Sequence, residues 1–337
     1  MSGLSPQQIQ YKAPRSLPRP PFDPAFKNAG GLARFTDELN LKAVRRYSST
    51  DSANAILEKF PHLAHVEYNV PAVKGLDDHS STLSIFRSKC PTDTKKSVLH
   101  YIHGGGQVSG TRFSGLDSVI SLLPENENLV FATIEYRLAP EYRAPAGAYD
   151  CYAGLVYLAD NAVELGINPA NIVVFGISGG GPLAAASCLL SRNLGYPQVR
   201  AQMLVVPMLD DRDEIGVSWR QFETGTLWPG QSNRMAWDMV LGQERGGPHV
   251  DEVRCAARAI DLSKLPPAFI DVGECEVFRD GAVAYASRIW ESGGTAELHV
   301  WPGVYHGAHL LEDTPVTQAM LAAQRGYIVR ALELCED

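Results

Sequence analysis

The sequence has no apolar run approaching the ~18 residues needed to cross a membrane. Its opening, MSGLSPQQIQYK, lacks the apolar stretch of a secretory signal. Cysteine is sparse. Cys90, Cys151, Cys188, Cys255, Cys275 and Cys335 are scattered without a CxxC pair. That spacing indicates no disulfide framework, and the expectation is reduced thiols in a cytoplasmic protein. A basic excess is also missing: 30 Lys and Arg stand against 38 Asp and Glu, for a formal net charge of -8. This argues against a dedicated nucleic-acid binder. The first 46 residues run the other way, with eight bases to three acids. Six prolines (Pro6, Pro14, Pro18, Pro20, Pro21 and Pro24) break any targeting helix there, so a basic surface arm is expected. There is no internal repeat. With 45% hydrophobic and 20% charged residues, the composition excludes disordered and collagen-like classes.

The 337 residues suffice for two domains of about 150 residues, or for one core with insertions. Leu32, Phe35 and Leu39 recur at helical spacing. Strand signals begin with HLAHVEYNV (62–70), TLSIFRS (82–88), SVLHYIH (97–103) and LVFATIEY (129–136). A helical stretch covers 146–165. NIVVFGI (171–177), MLVVPM (203–208), AFIDVG (268–273) and ELHVW (297–301) complete the strands. Helices are expected over 182–194, 280–292 and 315–333. Near-continuous apolar strands alternating with helices predict a mostly parallel sheet covered on both faces. In such sheets chemistry sits at the carboxyl ends of the strands. Residues 209–255 interrupt the alternation and carry Trp219, Phe222, Trp228 and Trp237. They read as an insertion at that edge, where a lid commonly forms.

Gly176-Ile177-Ser178-Gly179-Gly180 is a G-x-S-x-G between a buried strand and a helix. A serine on so sharp a turn needs neighbours without side chains, and the turn holds its hydroxyl clear of the sheet. A glycine-rich turn without catalysis has the same bare pattern. His103-Gly104-Gly105-Gly106, about seventy residues upstream at a strand end, tilts the balance. Successive glycines let backbone N–H groups face a carbonyl oxygen that is becoming an oxyanion. A serine hydroxyl needs a base, and the expected chain order is Ser, acid, His. Among the downstream histidines, His299 lies inside a strand. His306 lies on the loop after it, and His309 is three residues on. His306 is the expected base, with His309 second. For the acid, Asp271 lies within a strand, Glu274 at its end, and Asp280 suits the cap of the next helix. Glu276 sits on the loop itself.

At these residues the chain resembles the hormone-sensitive-lipase-like carboxylesterases of the α/β-hydrolase superfamily. The resemblance rests on HGGG (103–106), EYRLAPE (135–141), the G-x-S-x-G, GECEVFRD (273–280) and VYHG (304–307), and covers roughly residues 62–334. It implies an α/β-hydrolase fold with a helical cap. Ser178 then matches the nucleophile, His306 the base and Glu276 the acid. Gly105, Gly106 and Gly179 match the oxyanion-hole donors, with Gly104 serving the turn. Tyr136, Arg137, Glu141 and Asp150 match bracing positions. Three departures bear on substrate choice. Ile177-Ser178-Gly179 replaces the usual Asp-Ser-Ala, so glycine at 179 either loosens the elbow or makes room for bulk. Glu276 replaces the usual Asp. Ala308 replaces a Phe after His-Gly.

The resemblance implies a serine esterase for small, fairly apolar carboxylic esters that needs no cofactor and no metal. A lactone, thioester or formamide offers the same acyl carbon. Receptors on this fold have lost the histidine that His306 retains. The expected organisation is an arm and cap segment (1–61), a catalytic core (62–208 and 256–334) and a cap insertion (209–255). The expected partner is a small-molecule ester, without nucleic acid, and a homodimer is compatible with the sequence.

Overall fold

A computed structural model describes residues 17–27, 41–42, 45–46, 50–90, 94–213 and 215–334. Eight strands form one sheet in the order β1-β2-β4-β3-β5-β6-β7-β8. They are β1 (Leu63–Val70), β2 (Ser81–Ser88), β3 (Lys96–Ile102), β4 (Leu129–Ile134), β5 (Ile167–Ile177), β6 (Ala201–Val205), β7 (Ala268–Gly273) and β8 (Ala296–Trp301). β1 and β2 enter antiparallel; every pairing from β4 to β8 is parallel. Every residue of β3, β4, β6 and β7 is buried, as strands covered on both faces require.

The period of two divides the strands between two cores. Val98 and Ile102 of β3 and Val174 of β5 face one core, and Leu99, Tyr101 and Phe175 the other. Helices α3 (Ala146–Asp160), α5 (Gly180–Leu194) and α8 (Arg279–Glu291) pack on the first face. Helices α1 (Ala53–Lys59), α2 (Leu116–Ile120) and α10 (Pro315–Leu332) pack on the second. α10 opens with Pro315 in its first turn and a reciprocal bond pair between Thr314 and Thr317, which satisfies N–H groups the helix start leaves open.

The strand boundaries differ from expectation where the chain turns. β6 stops at Val205 because Val206 takes φ +43°. β4 stops at Ile134, freeing Tyr136 to hydrogen-bond the His103 carbonyl at 2.9 Å. β5 begins at Ile167, earlier than its apolar run, because Ile167 pairs with Lys96 across an irregularity. The expected 146–165 helix breaks at Asn161 into α3 and α4 (Ala162–Leu165).

The 209–255 segment carries α6 (Ser218–Gln221) and α7 (Gly230–Leu241). Phe222 and Trp237 are fully buried within it. Asp280 was expected to cap α8. Instead it occupies the second position of α8, and its carboxylate accepts the N–H groups of Val217 and Ser218 at 2.5 and 2.8 Å. It therefore caps α6 and ties the insertion to the core. The described arm meets the insertion too. Gln221 donates to the Pro18 carbonyl at 2.6 Å, and Phe22 packs on Phe222. Leu32, Phe35, Leu39 and Cys335 lie outside the described residues. The other five cysteines are free. Among the described residues no helix is long and apolar enough to cross a membrane.

Candidate active site

β5 ends at Ile177, α5 begins at Gly180, and Ser178 stands between them at φ +53°. That conformation is costly for a residue with a Cβ. Three backbone bonds hold it. Ser178 N–H donates to Val205 O at 2.9 Å, while Ser178 O accepts from Gly181 and Met208 at 2.9 and 3.0 Å. The flanking glycines are required by space: a Cβ on Gly176 would lie 2.3 Å from Gly180 O, and one on Gly180 2.2 Å from Ile102 O.

Ser178 Oγ lies 3.0 Å from His306 Nε2. His306 Nδ1 lies 2.5 Å from Glu276 Oε2, and Glu276 Oε1 accepts the Gly273 N–H at 2.6 Å. Glu276 is fully buried, and Ser178 and His306 are nearly so. Glu276 sits on the loop after β7 and His306 on the loop after β8. Two backbone bonds lock these loops together: Glu274 N–H to Trp301 O and Cys275 N–H to Val304 O, both 2.9 Å. Phe278 stands edge-on to the His306 ring at 5.1 Å.

The alternatives fall elsewhere. Asp271 is buried in β7, where its carboxylate accepts from Gln324 at 3.0 Å, and burial pushes it up to about 7. Glu274 accepts the Gly303 N–H at 2.9 Å. His299 stacks on Trp301 and hydrogen-bonds Glu297. His309 lies in α9 (Ala308–Leu311), where burial, then the nearby His306, lowers it to about 3.

The HGGG loop runs beneath the serine. Gly105 and Gly106 take φ +100° and +63°, so the turn falls to them and not to Gly104. Behind them His103 stacks on Tyr136 at 4.2 Å. Arg137 is held by Asp150 through its Nε at 2.9 Å and also pairs with Asp77. Arg45 donates to Val108 O at 2.6 Å and to Glu141 at 2.7 Å, tying the segment before β1 to the glycine loop. A Cβ on Gly179 would fall 2.5 Å from Gly106 N and 2.6 Å from Gln107 N. The glycine therefore lets the HGGG loop close on the elbow. The space it leaves is filled by backbone, so it gives a substrate no extra room.

Ser178 and His306 open on a cavity of about 340 Å³. Ile177, Val206, Leu227, Trp228 and Leu310 give it an apolar wall, with Trp228 and Leu227 supplied by the 209–255 segment. Sequence reasoning singled out Trp228 only as one of several aromatics and missed Leu227, Val206 and Phe278. None of these stands in a periodic pattern that could announce it.

Asp210, Asp211 and Cys255 bring ligand-type atoms within 4.8 Å of one another. Arg212 pairs with Asp210, Arg258 pairs with Asp211, and Cys255 Sγ donates to Leu209 O. Two arginines thus already supply the positive charge a cation would bring.

Residues 99–310 match a family described as having the α/β-hydrolase fold. An arylesterase of Saccharolobus solfataricus is 32% identical over 225 residues, covering 65% of this chain and 69% of the relative. The carboxylesterase NlhH of Mycobacterium tuberculosis is 33% identical over 220 residues, covering 62% and 66%. A solved structure of a bacterial heroin esterase superposes with a TM-score of 0.81 at 34% identity, covering 89% of this chain and 94% of that one. The chain belongs to this α/β-hydrolase family, in its hormone-sensitive-lipase-like carboxylesterase branch.

Proposed function

We propose that this carboxylic ester hydrolase cleaves esters of small, fairly apolar compounds through a Ser178-His306-Glu276 triad. The observation that carries the reading is the continuous path from Ser178 Oγ through His306 to Glu276 at the wall of an apolar cavity. Ser178 attacks the ester carbonyl while His306 Nε2 takes its proton. The amides of Gly105, Gly106 and Gly179 stabilise the oxyanion. His306 then protonates the leaving alcohol, and water repeats the cycle to release the acid. Glu276 holds the imidazole tautomer and stabilises the imidazolium. Residues 1–61 and 209–255 act as a cap on the 62–208 and 256–334 core, and Leu227 and Trp228 are the cap's contribution to the cavity. Relatives named arylesterase, carboxylesterase and heroin esterase support the substrate class.

The test is hydrolysis of p-nitrophenyl butyrate, with Ser178→Ala as control. Turnover and fluorophosphonate labelling that both vanish in the variant are expected. If the intact protein shows neither, the reading fails. A matched series of ester, thioester, lactone and formamide substrates distinguishes the bond cleaved.

A further inference from the structure

His309 lies on the cavity wall one helical turn beyond His306, and the reaction just described gives it no part. Several of its neighbours on that wall have their polar groups committed. Tyr101 donates to Ser114 O at 2.8 Å, Ser109 donates to Gly105 O at 3.1 Å, and Ser114 donates to Asp51 at 2.6 Å. Ser178 and His306 are bonded to each other. His309 is 9% exposed and makes no hydrogen bond among the described residues; its Nδ1 is fully enclosed, so Nε2 is the ring nitrogen left open. Buried polar groups are nearly always paired, because an unpaired one forfeits its hydration without return. A substrate that fills the cavity takes water away from Nε2, so this imidazole points to a partner brought by the ligand.

The chemistry of that partner follows from the wall. Among the described residues, those lining the cavity include no lysine, arginine or carboxylate to balance a charged ligand group. Burial keeps His309 neutral at working pH. A neutral imidazole offers one donor and one acceptor nitrogen. A hydroxyl, itself donor and acceptor, satisfies either tautomer. Its place in the ligand follows from the proton path. The leaving oxygen must reach His306 Nε2, so the alcohol portion of the ester lies on the His306 side, where α9 begins.

We propose that His309 is a specificity-determining residue that hydrogen-bonds a hydroxyl on the alcohol portion of the ester, so that preferred substrates are esters of hydroxylated alcohols. This rests on the triad reading above. A site with a buried group waiting for a substrate hydroxyl discriminates against the analogue lacking it, because that group is then left unpaired.

The experiment compares kcat/KM for 2-hydroxyethyl butyrate and propyl butyrate, which match in size and differ in one hydroxyl. A second pair, ethyl 3-hydroxybutyrate and ethyl 3-methylbutyrate, moves the hydroxyl to the acyl side. The intact enzyme is expected to prefer the 2-hydroxyethyl ester by about tenfold or more and to show no such preference in the acyl pair. His309→Phe should abolish the preference, and His309→Gln, which keeps a donor and an acceptor, should restore part of it. Each ratio is taken within one protein, so differences in folded fraction cancel. Should His309→Phe fail to fold, the His309→Gln ratio together with that of His309→Leu decides. A preference for propyl butyrate, a ratio unchanged by every His309 variant, or a preference confined to the acyl pair overturns the proposal. If neither ester is turned over and Ser178→Ala behaves as the intact protein does, the triad reading has failed instead.

Discussion

His306 Nδ1 and Glu276 Oε2 lie 2.5 Å apart, and the second oxygen of that carboxylate is fixed by the Gly273 N–H. Both oxygens are thus engaged before any substrate arrives, and Glu276 has no exposed surface. Its anchor, Gly273, ends β7, so the sheet itself sets the direction of the acid. A Cβ on Gly273 would lie 2.2 Å from Val304 O, so the loop that carries His306 packs against the same point.

Glu276→Gln keeps the size of the side chain and removes its charge. The amide can present an N–H where His306 needs an acceptor, which favours the wrong tautomer. By analogy with that effect in serine proteases, kcat for p-nitrophenyl butyrate should fall by about ten-thousandfold. Glu274→Gln, at a carboxylate that accepts the Gly303 N–H, should cost far less. The reverse order in steady-state kinetics would mean that Glu276 is not the orienting acid.

Gly179→Ala tests the contact between elbow and glycine loop. The added Cβ would meet two backbone nitrogens, Gly106 N and Gln107 N, at 2.5 and 2.6 Å. Backbone cannot swing aside as a side chain can, so the loop must retreat. Losing one oxyanion donor costs about a hundred- to a thousandfold in kcat, and a loss of that size is expected. Thermal unfolding checks that the fold survives. Near-normal kcat would show that the loop has slack and that the close approach has no catalytic role.

The sheet was legible because its strands announce themselves by apolar continuity. AFIDVG matches β7 residue for residue. Residues flanking the serine were legible because steric demand leaves little choice but glycine at 176 and 180. The role of Asp280 was not: an acid early in a helix suggests a cap for that helix, but the N–H groups it satisfies belong to α6, some sixty residues upstream. Trp228 and Trp237 look alike in sequence, yet one lines the cavity and the other is core. Only the long-range path of the 209–255 segment distinguishes them. Ion pairs are likewise invisible to periodicity, because Arg137 meets both Asp150 and Asp77 only once β2, β4 and α3 have assembled.

Arg137 and Asp150 are nearly buried, with side-chain exposures of 12% and 2%. Asp150→Ala strands part of a guanidinium away from water. Breaking one partner of a buried pair typically costs about 3–5 kcal/mol, and urea unfolding should show a loss of that order. Glu141→Ala removes a partner that is 56% exposed, from Arg45. Such a pair contributes about 0–1 kcal/mol. Equal losses from the two variants would mean that the EYRLAPE segment is braced by something other than the Arg137 pair.

Asp271 gives stability a pH dependence whose sign follows from its burial. Desolvation holds its folded pKa at about 7, against about 3.9 for an unfolded aspartate. Near pH 4 and below, both states tend toward the protonated form and the group costs little. Between about pH 4 and 7 the unfolded chain ionises while the folded protein keeps its proton. The folded state then binds more protons, so this group's contribution to stability falls as pH rises, by a few kcal/mol in all, and levels off above 7. His100 and His103 have the opposite sign. Burial lowers each to about 4, so their contribution is lost as pH falls below about 6.5. The intact protein sums these trends, and a single variant separates them. Asp271→Asn cannot ionise, and its side-chain oxygen can still accept from Gln324. The gain of Asp271→Asn over the intact protein, read as the difference in unfolding free energy, should grow from pH 5 to pH 7 and be constant from pH 8 to pH 9. A pH-independent difference would place Asp271 in a far more polar setting than its zero exposure and position in β7 describe.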